Sequence, residues 1–459
     1  MHMAPIPDES LPDEPSPAEL RAFAAPLEIR AGEPLQTPHV NWLFVDLNSY
    51  FASVEQQVRP ELRGRPIGVV PALVDTTCCI AASYEAKAFG VRTGTTVADA
   101  KKMCPEIVLI EGRHELYRDF HHQIVGAVES CIPVTAVCSI DEMACRLMGR
   151  ERALRAALDL GIRVKQTIRE RVGECLRSSV GLATNRYLAK VASDMEKPDG
   201  LVALPLDILP EALSQLTLRD LPGIGARTEK RLNEKAIYTM DELMALGCEQ
   251  AGEVWGSVWG ERLWHWLRGE DFEMAESEHL KSLSHQHVLA PEMRTPEKAY
   301  AVVHKLLHKA AMRLRSHGLW AGSIALAIGF AGPRGEKHPV STYGVPTKGW
   351  HAGLRLTECQ DNRTLIAALQ KLWESRPSGH TFDQPYFVGV TLGELVPDRL
   401  HSLNLFDTLD GEQRQTRLLA AMDELNNKYG LSTLAPATML AAYKAAPTRI
   451  AFHSIPELF

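Results

Sequence analysis

Residues 40–57 read VNWLFVDLNSYFASVEQQ, and the fold is decided there. Val40–Asn41–Trp42–Leu43–Phe44–Val45 is a short, mostly apolar run ending on a carboxylate, Asp46, the pattern of a buried strand with a functional tip. Ser49–Gln57 then reads as a helix start. Further on, Val134–Ser139 and Met143–Leu147 read as strand, turn and strand, with Ile140–Asp141–Glu142 at the bend. Asp141 lies 141 − 46 = 95 residues beyond Asp46. If the two strands are neighbours, three acid groups crowd together, and like charges at short range repel strongly. A divalent cation relieves that repulsion. Hard oxygen ligands favour magnesium, which prefers substrate phosphates to a closed protein cage. Two such ions about 3.5–4 Å apart stabilise both the attacking and the leaving oxygen of a phosphoryl displacement. Spacing alone favours a plainer reading, in which Asp46 caps the following helix and Asp141 and Glu142 decorate a turn.

Outward from this stretch the chain divides by composition. Residues 1–38 carry seven acids against Arg21 and Arg30, a net of 2 − 7 = −5, and account for most of the overall charge of −7. They are rich in Pro and Ala, and are expected to be a mostly disordered acidic leader with a short helix near Pro17–Ala24. Residues 39–205 mix strands (Pro66–Pro71, Ile107–Ile110, Ser178–Leu182) with helices (Ala81–Phe89, Val97–Met103, Tyr117–Ser130, Glu151–Val172, Tyr187–Asp194), an α+β order. Residues 206–278 are almost entirely helical around Leu221–Pro222–Gly223–Ile224–Gly225. From about 285 strands return (Ser284–Leu289, Ser323–Phe330, Phe387–Leu392), with helices over Pro296–Ser316 and Thr364–Glu374. Residues 399–459 form a tail with a helix over Gln413–Lys428. Residues 285–400 hold 14 Lys/Arg against 9 Asp/Glu, so a DNA-facing surface and a mildly basic solvated face are both open there. No apolar run is long enough to cross a membrane. The nine scattered cysteines include no C-x-x-C pair, which implies reduced thiols and a cytoplasmic protein.

The residues around the acids change the balance. Val45-Asp46-Leu47-Asn48-Ser49-Tyr50-Phe51-Ala52-Ser53-Val54-Glu55 resembles the first motif of the Y-family translesion DNA polymerases, the DinB/UmuC group, and Ser139-Ile140-Asp141-Glu142 their second carboxylate motif. Tyr84-Glu85-Ala86-Lys87-Ala88-Phe89-Gly90-Val91 resembles their finger motif, and Leu188–Gly200 a fourth block. The blocks stand in the family's order, and the resemblance spans roughly residues 39–440.

That resemblance implies a multidomain right-hand polymerase. Its palm and fingers fall within 39–205 (fingers about 50–111), its helical thumb with a helix-hairpin-helix within 206–278, and its α/β little finger within 285–398. It implies template-directed translesion synthesis in DNA repair, the SOS response and mutagenesis, on primer-template DNA with deoxynucleoside triphosphates. Asp46, Asp141, Glu142 and the Leu47 carbonyl would bind two magnesium ions, with manganese the alternative ion. Phe51 matches an aromatic steric gate against the ribose 2′-hydroxyl; an ordinary core aromatic is its plainer role. Tyr84, Lys87 and Lys197 match contacts to the incoming triphosphate, since phosphate oxygens take charge-assisted donors; surface solvation is the alternative for either lysine. Gly223 and Gly225 match a helix-hairpin-helix whose amides face a DNA phosphate, against a plain interhelical turn.

Leu400–Asp407 resembles a sliding-clamp-binding peptide, with Leu403, Leu405 and Phe406 filling an apolar groove, or else packing on their own domain. Ser284–Leu289 would lie along template phosphates, near Lys281, Arg294 and Lys298. Three departures stand out: Asn48 for the family's usual Asp, Lys87 for Arg, and Ser402 for Gln before the clamp peptide. The first two look more like the UmuC branch. Two rivals remain at this point: a catalytically silent DNA- and clamp-binding accessory of a mutagenic repair complex, and a nucleotide cyclase sharing a palm-like carboxylate pair.

Overall fold

The structure is a computed structural model that describes residues 39–75, 77–272, 280–330, 349–377, 379, 384–402, 409–430, 433–442 and 445. The expected acidic leader and its short helix lie outside these residues.

Strand β1 (Trp42–Leu47) is buried at every position because it is the middle of a five-stranded sheet of order β5-β6-β1-β7-β8. Its neighbours are β6 (Glu142–Arg146) and β7 (Ser178–Ala183), both antiparallel to it, with β5 (Ala136–Val137) and β8 (Leu201–Leu204) at the edges. Side chains alternate across a strand, so β1 feeds two cores. Leu43, Val45 and Leu47 pack with Met143, Cys145 and the helices His114–Glu129 and Leu154–Arg171. Trp42 and Phe44 pack on the other face with Ala144 and the helix Arg186–Met195. That helix lies unusually close to the sheet. A Cβ on Gly181 of β7 would sit 2.0 Å from the Ala189 carbonyl oxygen, so glycine permits the approach.

A small three-stranded sheet of order β3-β2-β4 joins Ala81–Ala82, Ile67–Val70 and Val108–Glu111. The expected helix over Ala81–Phe89 is therefore split. Its first residues are strand, paired with Gly68 and Val69, and the helix is only Tyr84–Ala88, capped by the Ser83 hydroxyl. Helices then fill Glu211–Leu267, as the composition implied.

Strands β9 (Ser282–Val288), β10 (Leu319–Phe330), β11 (Gly349–Cys359) and β12 (Pro385–Pro397) form an antiparallel sheet of order β11-β10-β12-β9. The helices Pro296–Ser316 and Asn362–Glu374 share its core. β11 and β8 were not foreseen. The tail helix, longer than expected, runs Leu409–Tyr429. The tail is pinned to the helix Pro296–Ser316: Arg315 donates to both Asp423 oxygens at 2.6 and 2.8 Å, and the Lys305 ammonium donates to the Ala445 carbonyl at 2.7 Å. All nine cysteines are free thiols, and no helix of the described residues is long and apolar enough to cross a membrane.

Candidate active site

The two strand ends foreseen in the sequence do meet. Asp46 stands opposite Glu142 in the β1–β6 register, and the Leu47 amide donates to the Asp141 carbonyl at 2.9 Å. The alternation that sends Trp42 and Phe44 toward the helix Arg186–Met195 sends Asp46 there too, and Glu142 follows Ala144 on the partner strand. Both acids reach the same lysine. The Lys190 ammonium lies 2.5 Å from Asp46 and 2.8 Å from Glu142. Lys197 lies 2.8 Å from the other Asp46 oxygen and 2.8 Å from Asp194. Asp46 does not cap the following helix: that N-cap is Ser49, in the left-handed region with φ 47, and no side chain bonds there. Asp141 accepts a hydrogen bond from the Ser139 hydroxyl at 2.5 Å.

The electrostatics follow from burial among like charges. Burial pushes Asp141 and Glu142 above the usual carboxylate range, and Asp46 adds repulsion to both. Burial works against charge on Lys190 and Lys197, but Asp46 leads the acids that outweigh it, so both are raised. Among the described residues, no three Asp, Glu, His or Cys side chains converge into a ready metal cage. The donor set nonetheless fits a hard divalent ion. It is all oxygen, it is anionic, and the ammonium groups of Lys190 and Lys197 balance its charge.

A cavity of about 330 Å³ opens beside the acids. Asp46, Leu47, Asp141, Glu142, Lys190 and Lys197 line it together with Phe51, Tyr84, Lys87 and Thr93. Phe51 is buried, 5% exposed, and stacks on Tyr117 with ring centroids 4.5 Å apart. The Lys87 ammonium sits 4.3 Å from the centre of the Tyr84 ring. Burial, then Lys197, lowers the Lys87 pKa, and burial raises that of the Tyr84 phenol. Every residue expected at the metals and the triphosphate thus lines one cavity. Lys190 was missed as a site residue, although it lay inside the quoted fourth block. Its signal was helical spacing to Asp194, which follows four residues later on the same face.

Asn48 has a different task from the metals. Its carbonyl oxygen accepts the Asp199 amide at 2.7 Å, and its amide donates to the Ser179 hydroxyl at 3.1 Å. Gly223 and Gly225 lie apart from the cavity, at the start of the helix Ala226–Asn233. Gly223 has φ 90, and a Cβ there would stand 2.9 Å from Trp259; Gly225 faces open space. The Tyr187 hydroxyl ties this turn to the sheet unit by donating to the Pro222 carbonyl at 2.9 Å. Leu403, Leu405 and Phe406 lie outside the described residues. Just before them, His401 stacks on Trp320 with centroids 3.5 Å apart.

Comparison with known proteins bears on this arrangement. Residues 45–194 match the impB/mucB/samB family, and residues 280–405 match the C-terminal domain of the same family. A DNA polymerase IV of Moorella thermoacetica is 33% identical over 84% of this chain and 93% of its own length. One of Pelotomaculum thermopropionicum is 30% identical over 87% of this chain and 95% of its own. Among solved structures, a chimera of the Y-family DNA polymerases Dbh and Dpo4 superposes with a TM-score of 0.64 at 21% identity, covering 78% of this chain and 99% of that one. An insertion ternary complex of Dbh DNA polymerase gives 0.52 at 22% identity, with the same coverage.

Proposed function

Because the chain belongs to the Y-family of DNA polymerases, the DinB/UmuC group, and is a DNA-directed DNA polymerase, we propose that it performs translesion synthesis by two-metal nucleotidyl transfer to a primer 3′-hydroxyl at the cavity beside Asp46. Asp46, Asp141, Glu142 and the Leu47 carbonyl would hold the divalent ions, magnesium or manganese. When bound, such ions lower the cost of ionising the primer hydroxyl and neutralise charge on the pyrophosphate leaving group. The chain's own residues do the rest. Tyr84, Lys87 and Lys197 orient the triphosphate through a hydroxyl and two cations, and Lys190 holds Asp46 and Glu142 facing the cavity. The Phe51 ring stands where a sugar's 2′-hydroxyl would have to fit. Gly223 and Gly225 grip a DNA phosphate without reading sequence. Leu403, Leu405 and Phe406 offer a sliding clamp an apolar plug, which would place the enzyme in a mutagenesis complex. The scattered, unpaired thiols go with a cytoplasmic protein.

The observation that carries this reading is the meeting of Asp46 and Glu142 in register, with Lys190 bridging them and Lys197 on Asp46, in the lining of a cavity that also includes Tyr84 and Lys87. A silent accessory would have no need to keep buried acids at an energetic cost. The test is primer extension, with and without magnesium, on an undamaged template and on one carrying an abasic site. We expect metal-dependent extension past the lesion, and its loss in Asp141→Ala/Glu142→Ala with DNA binding retained. Normal extension by the double variant would remove the metal assignment. Stalling at the lesion as complete as that of a high-fidelity polymerase would remove the translesion one.

A further inference from the structure

The loop that carries Lys197 is fastened by side chains that do not line the cavity, Asn48, Lys165 and Ser179. Residues 196–200 link the helix Arg186–Met195 to β8, with Asp199 in the left-handed region at φ 62. Two side chains hold its amides and the Glu196 carbonyl. Asn48 accepts the Asp199 amide at 2.7 Å, while the Ser179 hydroxyl donates to the Glu196 carbonyl at 3.1 Å and accepts the Gly200 amide at 3.3 Å. The carbonyls of Asp199 and Gly200 meet one ammonium, and the Gly200 carbonyl also accepts the Val180 amide at 3.0 Å. Lys165 of the helix Leu154–Arg171 donates to the Asp199 carbonyl, and to the Gly200 carbonyl at 3.1 Å. The same ammonium stands 3.3 Å from the Asp199 carboxylate. Its side chain is only 18% exposed, and it does not line the cavity. Arg169, one turn on and half exposed, adds a second cation at 3.2 Å from that carboxylate.

A left-handed conformation at a non-glycine residue is strained and persists only where the surroundings over-determine it. Here the over-determination is polar and comes from three elements. Remove the ammonium, and the Asp199 carbonyl loses its charged donor, the Gly200 carbonyl is left with the Val180 amide, and the strain at Asp199 remains. The loop then has reason to relax, and Lys197 is two residues away. A charge-assisted hydrogen bond tolerates only a few tenths of an ångström of misplacement before it weakens.

We propose that Lys165 is a positioning residue for the incoming triphosphate: by clamping the Asp199 and Gly200 carbonyls it fixes where Lys197 presents its charge. The inference rests on the reading of Lys197 as a triphosphate ligand. Lys165 does not line the cavity and pairs with Asp199 rather than with Asp46, Asp141 or Glu142, so its effect falls on nucleotide binding rather than on the chemical step.

The experiment is single-nucleotide incorporation with the full chain, measured for wild type, Lys197→Ala, Lys165→Met and Lys165→Arg. Lys165→Met raises KM for the nucleotide on the order of tenfold, the worth of one hydrogen bond to a charged group, with kcat changed by no more than about twofold. Lys165→Arg, which keeps the charge, recovers most of the loss. Hydrogen exchange at the Asp199 and Gly200 amides is faster in Lys165→Met, while the helix Leu154–Arg171 exchanges as before. Should Lys165→Met fail to fold, Lys165→Gln keeps a donor without the charge and takes its place, with a smaller rise in KM. An unchanged KM in the neutral variant, beside a raised KM in Lys197→Ala, overturns the inference alone. An unchanged KM in Lys197→Ala overturns the ligand reading, and the inference with it.

Discussion

Phe51 packs in the core with the same ring that, on the proposed reading, would select the sugar. It is nearly buried, it stacks on Tyr117, and its exposed edge lines the cavity beside Asp46. The two roles predict two separable effects of Phe51→Ala. Stability falls by about 3 kcal/mol, the ordinary cost of deleting a buried aromatic ring, read in denaturant melts. Discrimination against ribonucleotides also falls, read as the ratio of incorporation efficiencies for matched deoxy- and ribonucleotides. If the ratio is unchanged while stability drops, the ring is core and the gate is elsewhere. At this scale the sequence was legible where a residue type fits one chemistry. Acids at strand ends, and cations beside an aromatic finger residue, were foreseen and lie together. Asn48 was legible only as a missing charge. Its actual task, an acceptor for Asp199 and a donor to Ser179, depends on residues 131 and 151 positions away, and no local pattern reports that. Lys190 was hidden for a similar reason, because a lysine on a helix face is normally solvated and only the sheet register turns this one onto two acids.

The turn Leu221–Gly225 tests what a glycine is for within an element. Gly223 needs its freedom twice over, for its positive φ and for the Trp259 ring pressed against it. Gly225 has an ordinary extended backbone and nothing near it. Gly223→Ala should therefore cost about 1–3 kcal/mol of stability through strain and overpacking, whereas Gly225→Ala should leave the melting midpoint where it is. If Gly225 is there so that a phosphate can approach the amides at the helix start, Gly225→Ala still weakens DNA binding. Equal DNA affinity for Gly225→Ala and wild type would reduce the motif to an interhelical turn. Element-scale reading of the sequence failed where period and length misled. Ala81–Phe89 scanned as one helix because alanines are good helix formers, yet pairing of Ala81 and Ala82 with β2 overrides that preference. β11 was passed over although Trp350, Ala352, Leu354 and Leu356 alternate faithfully toward the core. Its other face is polar and solvated, and an amphipathic strand is faint without its partners.

At the scale of the whole molecule, the four-stranded unit and the tail folded against it carry a stability that depends on pH. His285 on β9 and His308 on the helix Pro296–Ser316 are both held down to about 4 from an ordinary 6.5. Burial is the main cause for each, with Lys309 and Arg313 adding to it at His285 and Arg315 at His308, where Asp423 partly opposes it. Among the described residues, neither ring nitrogen of His308 has a hydrogen-bond partner. The sign follows from proton counts. Above pH 6.5 both rings are neutral whether the chain is folded or not, and they contribute no pH dependence. Between 6.5 and 4 the unfolded chain takes up protons that the folded one refuses, so stability rises with pH across that window and is lost on acidification. Each ring can account for up to roughly 3 kcal/mol at the acid end. Wild type should therefore melt at progressively lower temperature from pH 7 to pH 4.5. His308→Leu keeps the packing and removes one of the two protonation sites. Its midpoint should lie near that of wild type at pH 7.5 and above it at pH 5, with a gap that widens as the pH falls. Two melting curves that fall in parallel would mean that the His308 ring is protonated in the folded chain as readily as in the unfolded one, and that the tail does not bury it in solution.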